Sequence, residues 1–116
     1  MTDTAQILVP IADGSEEIEA VTIIDVLRRA GAEVTVASVD GLAITASRGV
    51  RITADRLLGD CLKDDFDMIV LPGGMPGAEH LRDSAALKHI LERHGQNQRW
   101  IGAICSAPAV VLAQLG

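Results

Sequence analysis

The chain has 116 residues, enough for one modest domain; 48% are hydrophobic, yet it has one Trp, one Phe and no Tyr, so the core must be aliphatic. A net charge of −6 argues against nucleic acid or an anionic membrane as the main partner. So few aromatics also leave no stacking platform for single strands. Cys61 and Cys105 are too few for a disulfide framework and read as reduced thiols. With no basic-then-apolar leader and no apolar run of membrane-spanning length, the expectation is a soluble, cytoplasmic protein.

Gln6-Ile7-Leu8-Val9-Pro10-Ile11 is a continuous apolar run, as a parallel strand covered on both faces requires. Asp13-Gly14-Ser15-Glu16 follows with a capping-box look, in which Asp13 caps the next helix. Ala20, Ile23, Ile24 and Leu27 then fall on one helix face, up to a stop at Gly31. Ile18, Val21 and Val26 widen that apolar face and suggest cover by another subunit. Glu33–Ser38 is a second strand. Leu42–Thr45 and Gly49–Thr53 read as a hairpin around Ala46-Ser47-Arg48. Leu57, Leu58, Cys61 and Leu62 suggest a short helix. Asp67–Leu71 is a third main strand, ending in Pro72-Gly73-Gly74, and Gly77 extends the loop beyond it, with His80 in that loop. A helix capped by Ser84 runs to His94 with Leu87, Ile90 and Leu91 inward. Trp100–Ile104 is a fourth strand and Ala107–Leu115 a last helix whose Val110, Val111, Leu112 and Leu115 need a partner surface.

Strands alternating with helices give a parallel α/β sheet with right-handed crossovers, and ligands then sit at the carboxyl ends of the strands. Three features converge there: Asp13–Glu19, Pro72-Gly73-Gly74 and Cys105. Ala103-Ile104-Cys105-Ser106-Ala107 has the small-x-nucleophile-x-small form of a strand-to-helix elbow, where sterics hold the nucleophile in a strained backbone. A cysteine there faces a helix N-terminus, which favours thiolate over thiol. Gly73 and Gly74 bare backbone N–H groups that suit an oxyanion, with the Ser106 N–H as a further donor. Glu16 and Glu17 read as complements to the helix dipole. Glu19 lies a turn further in among apolar residues; facing Cys105 it would serve as a protonated hydrogen-bond donor. Cys61 reads as a core thiol. His80, His89 and His94 show no ligand spacing with either cysteine and read as solvated, so no metal site is expected.

Gly14-Ser15-Glu16-Glu17-Ile18-Glu19-Ala20-Val21, Ser47-Arg48-Gly49-Val50, Val70-Leu71-Pro72-Gly73-Gly74 and Ala103-Ile104-Cys105-Ser106-Ala107-Pro108 stand in the order and spacing of a known family. They resemble the ThiJ/PfpI superfamily, in the branch of the human parkinsonism-associated deglycase, along essentially the whole chain. The resemblance implies a flavodoxin-like homodimer that uses no cofactor. It makes Cys105 the nucleophile and oxidisable thiol, Glu19 the acid bonded to its sulfur, and Gly73, Gly74 and Ser106 the oxyanion side. Arg48 and Glu16 fall near the interface and the site. Implied activities are those of a glyoxalase or deglycase on small dicarbonyls or glycated thiols and amines; a redox-sensing holdase chaperone is the alternative. Ser106 stands where the protease-like branch has His, and the Gly-x-Cys-x-Gly elbow of glutamine amidotransferases is missing, so those hydrolase readings rank lower. Family members continue past the position of Gly116 with further strands, helices and a histidine near the cysteine. Residues 1–116 are therefore expected to form the N-terminal part of one domain, completed by a C-terminal part or a companion chain.

Overall fold

A computed structural model describes residues 4–113. Strand β1 (Gln6–Ile11) lies at the centre of a parallel sheet and is buried almost along its length. Its side chains alternate between two cores. Ile7, Val9 and Ile11 join Val34, Val36 and Val70 on one face, whereas Leu8 joins Ala37, Ile69 and Leu71 on the other. Each such Val, Leu or Ile side chain contributes about 1.5–3 kcal/mol once withdrawn from water, so the unbroken apolar run requires cover on both sides.

Helix α1 (Glu17–Arg29) covers the first face with Ala20, Ile23, Ile24 and Leu27, as their spacing predicts. It ends where Gly31, at φ +94°, sends its N–H back to the Arg28 carbonyl. Its N-cap is not Asp13. Glu16 caps it by accepting the Ile18 N–H at 3.1 Å, while Asp13 Oδ1 accepts the Thr45 N–H at 2.9 Å. A long-range contact has claimed the residue that local patterning assigned to the cap.

β2 (Glu33–Ser38) pairs with β1 in parallel, and β3 (Ala43–Thr45) and β4 (Arg51–Thr53) form the expected antiparallel hairpin. A short β5 (Arg56–Leu57), absent from the sequence reading, adds to the far side of β2. It leads into a 3₁₀ turn, Leu58–Cys61, that buries Leu58 and Cys61. β6 (Met68–Leu71) returns to the other side of β1, and β7 (Trp100–Ala103) pairs beyond it. The sheet order is β5-β2-β1-β6-β7, the doubly wound, flavodoxin-like arrangement.

The segment after β6 differs from expectation. Gly77–Arg82 is a helix, α2, so Gly77 and His80 are helical and not in a loop. Helix α3 (Ala85–Gln96) starts at the predicted cap, Ser84, whose hydroxyl accepts the Leu87 N–H at 3.1 Å. The last segment coils differently from an ordinary helix: Pro108–Leu112 is π-helical, closed by the Ala113 N–H donating to the Pro108 carbonyl. Val110, Val111 and Leu112 already pack into the Leu8 core, and Leu115 lies outside the described residues. β7 is an edge strand with Trp100 76% exposed. Among the described residues no helix is long and apolar enough to cross a membrane.

Candidate active site

The turn after β1, the loop after β6 and the elbow after β7 meet at the carboxyl edge of the sheet. They meet backbone to backbone. The Glu16 N–H donates to the Gly73 carbonyl at 2.9 Å, and within the turn after β1 the fully buried Ser15 hydroxyl accepts the Ala12 N–H at 3.0 Å. Gly74, at φ +97°, lies so close to Gly14 that a Cβ would meet the Gly14 carbonyl oxygen at 2.8 Å. That position demands glycine on both conformational and steric grounds.

Cys105 has φ +57°, in the left-handed region. For a residue with a side chain this strain is on the order of 1–3 kcal/mol, and it is held by the flanking contacts. Ala107 is fully buried against the core, the Ile104 N–H reaches the Leu71 carbonyl at 3.2 Å, and the Ala107 N–H closes the turn on Ile104 at 3.1 Å. Of the two small residues in the elbow pattern, Ala107 is fully buried and Ala103 half-buried. Cys105 itself is exposed.

Glu19 comes to the same point from α1. Its Oε1 accepts the Gly73 N–H at 2.9 Å. The missing side chain of Gly73 makes room for both: a Cβ there would sit 2.7 Å from Cys105 Cβ and 2.8 Å from Glu19 Oε1. The thiol-bearing residue and the carboxyl therefore converge on the one face of this glycine where a side chain would project. On the next residue, the Gly74 N–H donates to Ser106 Oγ at 3.2 Å. Both N–H groups of the glycine pair are thus held by side-chain oxygens.

Glu16 and Glu17 do more than face a helix dipole. Glu17 is buried and accepts the Ser47 hydroxyl at 2.8 Å, the Arg48 N–H at 2.9 and 3.1 Å, and the Val50 N–H at 3.4 Å. Burial pushes its carboxyl up, but these bonds and its own N–H outweigh that and hold it at about 2. Glu16 Oε2 also takes the Ser47 hydroxyl, at 3.2 Å. Together they fasten the hairpin tip to the turn that begins α1. Sequence reading missed this role because the partners lie some 30 positions away. Arg48 is brought to this corner by its backbone, and its side chain is exposed.

Cys61 is fully buried, and burial pushes its thiol up, which fits an inert core residue. His94 departs from the sequence reading. It is buried, with Nε2 2.6 Å from the Trp100 carbonyl, because the end of α3 packs over the start of β7. The described residues contain no cluster of His, Cys, Asp and Glu suited to a metal ion.

Comparison with known proteins gives the family. A family model described as "DJ-1/PfpI family" matches residues 5–116. Protein DJ-1 homolog B of Arabidopsis thaliana is 51% identical over 114 residues, covering 97% of this chain and 26% of that protein. The Caenorhabditis elegans protein named glutathione-independent glyoxalase DJR-1.2 is 37% identical over 95% of this chain and 58% of its own length. The solved structure of oxidised Toxoplasma gondii DJ-1 superposes with a TM-score of 0.96 at 54% identity, covering 97% of this chain and 62% of that one. The chain thus spans less than two thirds of each.

Proposed function

The chain belongs to the DJ-1/PfpI family, and from that premise we propose that it acts as a cysteine-dependent enzyme of glyoxalase or deglycase type. Its substrates would be small dicarbonyls such as methylglyoxal, or their early adducts with thiols and amines. One observation carries this reading: Cys105, strained at φ +57°, and the Glu19 carboxyl flank the same glycine. The nematode relative's name, a glyoxalase independent of glutathione, supports a protein thiol as the nucleophile.

In this mechanism the Cys105 thiolate adds to the aldehyde carbon, and the carbonyl electron pair moves to oxygen to give a hemithioacetal. N–H groups at Gly74 and Ser106 receive that oxygen. Glu19 then moves a proton from the aldehyde carbon to its neighbour, which oxidises the first carbon to a thioester while reducing the second to an alcohol. Water cleaves the thioester, releasing a 2-hydroxy acid and the thiolate. The isomerisation is internally redox-neutral and draws on no external oxidant or cofactor.

A second reading also has a specific support. Cys105 is exposed, and a structural relative was solved in an oxidised form, so reversible oxidation of the thiol would suit a stress sensor or holdase chaperone. In either role we propose a homodimer in a reducing cytoplasm, built on the outer face of α1, where Ile18 is 74% and Val21 48% exposed. The residues that extend the relatives would complete the domain and supply a histidine near Cys105.

Methylglyoxal turnover by wild type, Cys105→Ser and Glu19→Gln tests the enzymatic reading. Cys105→Ser should be inactive. Glu19→Gln should lose about 10²–10⁴-fold in turnover, yet still alkylate at Cys105 ahead of buried Cys61 on peptide mapping. Wild-type turnover in Cys105→Ser would overturn the enzymatic reading, and faster labelling of Cys61 would overturn the choice of nucleophile.

A further inference from the structure

We propose that the Ser106 hydroxyl is a built-in competitor for the Gly74 oxyanion donor, so that Ser106 sets how strongly the site holds an incoming anionic oxygen. The proposal rests on the reading of Gly74 as an oxyanion donor in cysteine chemistry. Its basis is the bond from the Gly74 N–H to Ser106 Oγ at 3.2 Å, between residues 32 positions apart.

The donor side of this bond is fixed. Gly74, at φ +97°, is wedged against the Gly14 and Ser15 backbone, so its N–H direction is set by packing. The neighbouring Gly73 N–H is already committed to Glu19 at 2.9 Å. The acceptor side is free to turn. Ser106 is only half-buried, and rotation about one side-chain torsion moves its hydroxyl from one staggered well to another. The backbone beneath it is anchored through the bonds that close the elbow on Ile104 and Leu71. The hydroxyl therefore holds the donor that a ligand oxygen would take, and it can turn away without moving the main chain.

Competition has a chemical consequence. A neutral hydroxyl is a weaker acceptor than an ionised oxygen, so an oxyanion displaces it readily. A neutral carbonyl oxygen is its near equal and gains little by the exchange. Ser106 thereby costs an anionic oxygen, which takes the donor, more than a neutral one, which can leave the Gly74–Ser106 bond in place, so removing the hydroxyl favours the anion.

The test compares alkylation of Cys105 by iodoacetate and by iodoacetamide, reagents of similar size that differ in one charge. In Ser106→Ala the ratio of iodoacetate to iodoacetamide rates should rise about three- to tenfold, the range one released hydrogen bond supports. Ser106→Gly, which also lacks the hydroxyl, should do the same, and Ser106→Thr, which keeps one, should return the wild-type ratio. An unchanged or lower ratio in the hydroxyl-free variants would overturn the proposal. So would a raised ratio in Ser106→Thr, which would assign the effect to shape. Labelling needs no turnover, so it reports on Ser106 even where the dicarbonyl assay fails.

Discussion

Adding one methyl group at Gly73 should separate catalysis from folding. A Cβ there would lie 2.7 Å from Cys105 Cβ, 2.8 Å from Glu19 Oε1 and 3.1 Å from the Ile104 carbonyl oxygen. Ordinary contacts between carbon atoms fall near 3.5–4.0 Å, so the overlap is roughly 1 Å on two sides. Three neighbours do not yield equally. Ile104 and Cys105 belong to an elbow tied to Leu71, whereas Glu19 ends a flexible side chain held by the Gly73 N–H. Glu19 therefore moves, and its hydrogen bond to Gly73 is lost. Misplacing a reacting group by about 1 Å costs on the order of 10²-fold, so Gly73→Ala should lose about that much in kcat/KM for methylglyoxal. Overpacking should remove about 1–3 kcal/mol of stability, which a domain of ordinary stability survives. Gly95→Ala is the control. It lies in the last turn of α3 with nothing within 4 Å of a new Cβ, and should gain up to about 1 kcal/mol in helix propensity at unchanged turnover. Urea melts read stability and initial rates read activity. Full turnover in a folded Gly73→Ala protein would show that the Cys105–Gly73–Glu19 contact does not govern the chemistry.

Two further outcomes follow from the hairpin clamp and from the face of α1. Glu17 is held at about 2, below its ordinary 4.5, so its contribution to stability is complete above about 4.5 and is lost as pH falls through about 2. The urea-midpoint gap between wild type and Glu17→Gln should therefore be constant near neutrality and narrow on acidification; a gap that stays constant into strong acid would remove Glu17 from the clamp. Val21→Asp, on the exposed apolar face, should turn a sedimenting dimer into a monomer, and a wild-type protein that is already monomeric at micromolar concentration would refute the interface.

The parts of this molecule legible from sequence are those whose causes are local. β1 and β2 were readable to the residue because a continuous apolar run bounded by turn residues admits little else. The elbow was readable because one steric demand, small residues two before and two after the nucleophile, fixes both Ala103 and Ala107 and the φ of Cys105. Glu19 and the glycine pair were readable from their places after the first and third main strands, and the DJ-1/PfpI motifs add their roles. Where cause is distant, local pattern misled. α2 begins with Gly77 after Pro76, a loop signature on its own, yet Gly77 packs against Ser15 while Ala78 and Leu81 are buried. His94 sits on a polar-looking helix end, and only the arrival of Trp100 gives it a carbonyl partner and buries it.

The same division explains what the sequence implied about the oxyanion side and what the structure adds. Two glycines after a strand supply bare N–H groups, and this much is visible in the letters. Whether those groups are vacant depends on side chains from α1 and from the elbow, which reach them across 54 and 32 positions. Glu19 fills one and Ser106 the other. A site whose donors were simply left open would carry unsatisfied polar groups in its resting state, each costing about 1–3 kcal/mol where water is excluded. Satisfying them internally with side-chain oxygens keeps the fold stable, and on the proposed function catalysis would exchange the Ser106 oxygen for a substrate oxygen at a fixed N–H group. On this view the rigidity of the turn, secured by Gly14, Ser15 and Gly74, and the mobility of Ser106 are complementary requirements of one site.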